Sequence, residues 1–331
     1  MPRPRLVAHV CAATAVACLL APAVASAQEP EPEAIVDAFN AVFGKHPGMR
    51  ASGAKGVCVT GTFTPSAEVA GLSKAPQFAG PAVPVTGRFS MGGGNPKVSD
   101  KVKGTTRGFS LRFAGDEPLV LVMISAPVFG SKNPQQLMAG LAARVPGPDG
   151  KVDAAKLKAY TDANPETARQ AAWLNARPLP ASFAGVDYWA VHAYTLTDAK
   201  GGATLAKLKA VAAAGQLGLT DDEAKARPDS FYADELKERL AKGPASFDLT
   251  AIKGEAGDPT GDITAMWPED SRQKVRLGTV AIAALEPDAT CDASTFDPVV
   301  ELPDGLAGPA DDPMFAIRSP AYAVALSRRA P

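Results

Sequence analysis

The strongest chemical signal in the sequence is a pair of residues near its C-terminus. Arg318 precedes Tyr322 by four positions, so on a helix the guanidinium lies one turn from the phenol. A fixed positive charge beside a phenol favours the phenolate, and a phenolate is an anionic oxygen ligand for ferric iron. Arg329 follows Arg318 by about three helical turns and falls on the same face. The spacing alone fits an ordinary tyrosine packed beside an arginine equally well. Pro320, between the pair, predicts a kink or a restart of the helix with Ser319 as its cap.

Other reactive groups are few. Only three histidines occur, His9, His46 and His192. His46 lies in the breaker-rich turn Gly44-Lys45-His46-Pro47-Gly48 and reads as an exposed loop side chain. His192 lies in the alternating run Tyr188-Trp189-Ala190-Val191-His192-Ala193-Tyr194 and reads as a half-buried strand residue. Gly92-Gly93-Gly94-Asn95 lacks the following Lys-Ser/Thr of a phosphate cradle. Ser90 lacks the Gly-x-Ser-x-Gly setting of a hydrolase nucleophile. Asp221-Asp222-Glu223 and Asp311-Asp312 read as solvated helix starts, where carboxylates suit the positive end of the dipole.

The N-terminus reads as an export signal over residues 1–27. Arg3 and Arg5 form a basic start, Leu6 to Ala21 is an apolar run short for a bilayer, and Ala25-Ser26-Ala27 is a small-residue cleavage site. A retained anchor fits less well, because Gln28-Glu29-Pro30-Glu31 follows at once. The expected mature domain spans residues 28–331 in the periplasm. Without Arg3 and Arg5 it has 32 basic against 35 acidic residues, too little positive charge for a nucleic-acid surface. Cys58 and Cys291 remain in an oxidising compartment, as one disulfide or as two buried thiols. Neither lies in the Cys-x-x-Cys spacing of a structural zinc site.

The elements that must position these groups follow from periodicity. Helical patterns are predicted at 33–43, 134–145, 153–163, 166–176, 224–242 and 313–329, and strands at 56–64, 84–91, 106–113, 118–126, 186–197, 247–253 and 275–285. Strands first, helices inserted and strands again do not form a regular βαβ alternation. The pattern predicts an α+β fold with a mainly antiparallel barrel or sheet and helical insertions.

Several ordered motifs over about 280 residues resemble the catalase-related peroxidases, small exported heme proteins built on the catalase core. Arg50-Ala51-Ser52-Gly53-Ala54-Lys55-Gly56 is similar to the family's distal segment, Arg, two residues, His, Ala, Lys, Gly. Gly87-Arg88-Phe89-Ser90 and Arg107-Gly108-Phe109-Ser110-Leu111-Arg112-Phe113 resemble its next two strands, and Ala126-Pro127-Val128-Phe129 the one after. Asp258-Pro259-Thr260, Trp267-Pro268, Phe296-Asp297-Pro298 and Leu302-Pro303-Asp304-Gly305 resemble the approach to a C-terminal heme-ligand helix.

The resemblance implies a catalase-like antiparallel β-barrel and a role for each site residue. Tyr322 would ligate heme iron, and Arg318 would hold it as a phenolate. Arg50, Arg88 and Arg329 would bind the heme propionates, and Ser90 would orient a distal histidine. That histidine is absent, because its position is Gly53. Ser125 is read in place of the distal asparagine and Gly130 in place of a pocket phenylalanine; His46, and behind it His192, are the histidines weighed as a substitute acid–base, with Ser90 or water left to support slow chemistry. The implied activity is reduction of hydrogen peroxide or organic peroxides with a small-molecule or membrane cytochrome donor. The alternative is a heme-binding protein with weak or lost turnover. A monomer or dimer is expected.

Overall fold

The computed structural model describes Met1 and residues 29–293 and 295–329; the predicted export segment lies outside the described residues. Eleven strands follow in chain order: β1 (Gly56–Pro65), β2 (Val83–Met91), β3 (Arg107–Phe113), β4 (Leu119–Ile124), β5 (Leu179–Pro180), β6 (Tyr188–Thr197), β7 (Ala203–Ala212), β8 (Gly218–Leu219), β9 (Ala245–Lys253), β10 (Lys274–Glu286) and β11 (Leu306–Ala307). The long strands pair antiparallel in the order β6-β4-β3-β2-β1-β10-β9-β7, and β7 pairs back to β6. The sheet thus closes into an eight-stranded barrel. β11 adds to the outside of β6, and β5 pairs with β8 away from the barrel.

Alternation along the strands builds the two faces. Phe109, Leu111 and Phe113 of β3 are fully buried with Phe89 and Met91 of β2, and stacked Phe89 and Phe109 rings lie 4.3 Å apart. Phe63, Tyr188 and Phe247 fill the same interior, and removing each such ring from water contributes roughly 1.5–3 kcal/mol. The residues between them, including Arg88, Ser90 and Ser110, therefore face outward. Directly opposite residues share a face, so Gly56, Ser90, Gly108 and Ile124 form one outward row and Cys58, Arg88, Ser110 and Val122 another.

Helices cover the outside. Pro32–Phe43 packs against the C-terminal helix Arg318–Ser327, and an Arg328–Asp37 ion pair joins the two. Among the described residues no helix is long and apolar enough to cross a membrane. Seven of the barrel strands match their predicted positions, whereas β7 carried no predicted strand. The single helix predicted at 224–242 is two, Asp221–Ala226 and Tyr232–Leu240. The C-terminal helix also divides, into Pro313–Ala316 and Arg318–Ser327. Pro320 sits in the first turn of the second, where a missing N–H interrupts no bond. Ile317, not Ser319, is the cap residue.

Candidate functional site

The C-terminal helix delivers the pair that the spacing singled out. Arg318 Nη2 donates to the Tyr322 hydroxyl oxygen at 2.6 Å. The same guanidinium donates through Nη1 to His192 Nε2 at 2.8 Å, and His192 Nδ1 lies 2.6 Å from Asp312 Oδ2. Because Arg318 has only donors to give, Nε2 must be the accepting nitrogen, and Nδ1–H donates to the carboxylate. A directed chain therefore runs Asp312–His192–Arg318–Tyr322.

Local structure explains how the chain forms. Between the pairs Ala190–Leu208 and Ala193–Lys207, β6 advances three residues while β7 advances one. The two extra residues, Val191 and His192, form a bulge that re-aims the imidazole. Asp312 is the N-cap of the Pro313 helix, accepting from Met314 N–H and Phe315 N–H through Oδ1, and its other oxygen serves His192. His192 is 1% exposed and Asp312 2%. Burial pushes the imidazole down to about 4, against the opposing pull of the Asp312 hydrogen bond. Arg318 is raised above its ordinary value; burial opposes this, and the charge and hydrogen bond of Tyr322 overcome it. Asp312 is thus a helix start as predicted, but a buried one. His192 is wholly buried rather than half-buried and is a member of the site. Its partner lies 120 positions away, so no local pattern marks the contact.

Arg50, Arg88 and Arg329 converge nearby. Arg50 Nη2 donates to the Cys291 carbonyl at 2.6 Å and to Asp292 Oδ1 at 3.2 Å, and Arg329 Nη2 donates to the Asp292 carbonyl at 3.2 Å. Burial first, and then the charge of Arg50, lower both Arg88 and Arg329 to about 10. Arg50 is also lowered by burial, while the charges of Asp292 and Tyr322 oppose that shift. Three crowded cations beside a phenol could hold a ligand with more than one carboxylate and a metal centre. The donor set fits heme.

Next to Arg88 on the same outward face of β2 is Ser90. Arg88 Nη1 donates to the Gly53 carbonyl at 2.7 Å and Nη2 to that of Ala54 at 3.1 Å, fixing the turn after Arg50. Gly53 has φ +68°, and a Cβ there would lie 3.3 Å from Ser90 Oγ.

A profile of the catalase family matches residues 46–330. The chain belongs to the catalase family. It is similar to a catalase-related peroxidase from Synechococcus elongatus, 35% identical over 90% of this chain and 88% of the relative. A catalase-related peroxidase from Mycolicibacterium paratuberculosis is 32% identical over 90% of this chain and 94% of its own. Among solved structures, a fungal catalase superposes with a TM-score of 0.77 at 20% identity over 86% of this chain. A bacterial catalase gives 0.76 at 21%. The chain spans about 60% of the length of the fungal catalase and 58% of the bacterial one. Like its peroxidase- and catalase-named relatives, the chain is an oxidoreductase enzyme.

Against the catalase family's pattern, the structure brings Tyr322, Arg318, Arg50, Arg88 and Arg329 to one region and sets Ser90 beside Gly53. His46 is not drawn in: its Nε2 donates to the Phe43 carbonyl at 3.0 Å, closing its own turn. Ser125 lies just past the end of β4, where its Oγ accepts from Arg107 N–H at 2.9 Å, while Gly108 pairs with Ile124 in the Ser90 row. At Gly130, Gln170 takes up the room, its Oε1 lying 3.2 Å from the place of a Cβ. A cavity of about 630 Å³ lined by Trp173, Trp189 and Trp267 opens elsewhere and includes none of the five predicted cofactor residues. Cys58 and Cys291 form a disulfide.

Proposed function

We propose that this protein is an exported, periplasmic heme peroxidase that reduces hydrogen peroxide or organic peroxides at the expense of an external donor, a small molecule or a membrane cytochrome. The observation that carries the reading is the hydrogen-bonded chain Asp312–His192–Arg318–Tyr322, which starts on two buried residues and ends on a phenol beside three convergent arginines. Membership of the catalase family supports it.

When bound, heme would supply the iron at which the peroxide is reduced, the electrons coming in the end from the external donor. Tyr322 is the side chain that holds the iron, and Arg318 supplies the positive charge beside its oxygen. Arg50, Arg88 and Arg329 bind the two carboxylates. On the other face, Ser90 Oγ is the side-chain oxygen nearest Gly53 and the group available to accept and return a proton. A hydroxyl is a weaker acid–base than an imidazole near neutral pH, so turnover is slow. A second reading, heme binding with little or no turnover, is favoured by Gly53 itself, which stands at the family's histidine position in a backbone conformation that glycine prefers.

The test is spectroscopic. Hemin titrated into the purified protein should give a saturable high-spin ferric spectrum with a tyrosinate signature. In Tyr322→Phe that signature should vanish. An unchanged spectrum removes Tyr322 as the ligand. Mixing the loaded protein with peroxide, then with a reducing donor, separates the readings: spectral cycling marks a peroxidase, and an inert spectrum marks a carrier.

A further inference from the structure

The three-arginine cluster is fastened from behind by the disulfide. Cys58 stands directly opposite Arg88 in the β1–β2 register. Cys291 lies in the short helix Asp288–Asp292, its own carbonyl accepts from Arg50 at 2.6 Å, and the neighbouring Asp292 carbonyl accepts from Arg329 at 3.2 Å. The bond between the sulfurs thus joins the strand that registers one arginine to the segment that holds the other two. Both sulfurs are buried under Val120, Val122 and Phe296. The five-residue helix has no side-chain cap at its N-terminus, so little else in its own sequence fixes it.

We propose that the Cys58–Cys291 disulfide is a positioning element of the carboxylate cradle, so that heme retention depends on it beyond any effect on global stability. The proposal rests on the reading that this cradle takes heme. Arginine recognises a carboxylate through a planar fork, and that geometry tolerates little displacement. Without the bond, the Cys291-Asp292 carbonyls are no longer tied to the β1–β2 edge, and Arg50 and Arg329 lose their fixed relation to Arg88.

The experiment measures heme release, not activity. Loaded wild type, Cys58→Ala/Cys291→Ala and Phe63→Leu are each mixed with excess apomyoglobin, and transfer is followed in the Soret band. Phe63 is inside the barrel and controls for general destabilisation; circular dichroism and urea midpoints verify folding. If the double variant does not fold, wild type reduced with a dithiol in mild urea replaces it. The dithiol gives two electrons and two protons, becomes a cyclic disulfide and leaves two thiols, which are counted. Release should quicken roughly tenfold or more, the scale of losing one charge-assisted hydrogen bond, while Phe63→Leu releases heme at the wild-type rate. Wild-type release from the folded, bond-free protein overturns the proposal, as does equal acceleration in Phe63→Leu. If wild type takes up no heme, the heme reading itself falls.

Discussion

His192 Nδ1 and Asp312 Oδ2 lie 2.6 Å apart, out of contact with water, and bind a strand bulge to the cap of a helix 120 positions later. One carboxylate does two jobs, since Oδ1 caps the Pro313 helix and Oδ2 orients the imidazole. The next helix, Arg318–Ser327, which presents Tyr322, is tied to the barrel through Arg318, the donor to both His192 and the phenol.

Stability should depend on pH through His192. The folded imidazole titrates at about 4 because burial disfavours its cation, whereas an unfolded histidine titrates near 6.5. Between those values the unfolded chain binds more protons, so stability rises with pH. The contribution is complete above about pH 6.5 and declines as pH falls toward 4, by about 3 kcal/mol at the limit. Urea midpoints of the apoprotein from pH 4 to 7.5 measure it. His192→Gln should flatten that part of the profile; a wild-type slope in the variant would assign the dependence to another group.

Arg318→Lys keeps the charge and loses the fork. An ammonium on a flexible stem does not reproduce two fixed, in-plane donations to His192 Nε2 and Tyr322 oxygen. Hydrogen bonds to charged groups contribute about 1.5–3 kcal/mol each, so the variant should lose about 2–4 kcal/mol in urea titrations. Its heme spectrum should shift from wild type yet keep a tyrosinate signature. Wild-type stability and spectrum together would mean that the fork geometry does not matter.

Most of the barrel was legible because its strands alternate with large apolar residues, as in Phe109, Leu111 and Phe113. β7 was not. Its inward positions are Ala206, Leu208, Ala210 and Ala212, and alanine and lysine are poor strand formers. Pairing makes it a strand, with β6 across the short turn at 198–202 and with β9 farther along the chain. The site divides in the same way. Arg318 and Tyr322 are four residues apart on a helix and visible at once. His192 and Asp312 are joined only by a bulge and a tertiary contact.

Arg88→Lys separates binding the ligand from holding the turn. Arg88 donates to two successive carbonyls, Gly53 and Ala54, while contributing its charge to the cluster. Lysine preserves the charge and leaves one carbonyl or both without their donor, so folding should weaken by about 1–3 kcal/mol. Arg329→Gln removes charge from the more open edge and should weaken heme binding with a smaller change in stability. Hemin titrations and urea midpoints on both variants check the contrast; identical profiles for the two would refute the division of labour.

Gly53 is the position where catalysis is gained or lost. A side chain there meets a positive φ and a Ser90 Oγ only 3.3 Å from its Cβ, so Gly53→Ala should destabilise by about 1 kcal/mol. Gly53→His carries a similar penalty but places an imidazole beside a hydroxyl able to orient it. General acid–base assistance of that kind accelerates reactions roughly 10²–10⁴-fold, and stopped-flow mixing of loaded protein with peroxide should show a gain on that scale in the optical change. Adding Ser90→Ala to Gly53→His should take back part of the gain, because the imidazole loses its orienting partner. If Gly53→His folds, takes up heme and reacts at the parent's rate, the missing imidazole is not what limits this enzyme.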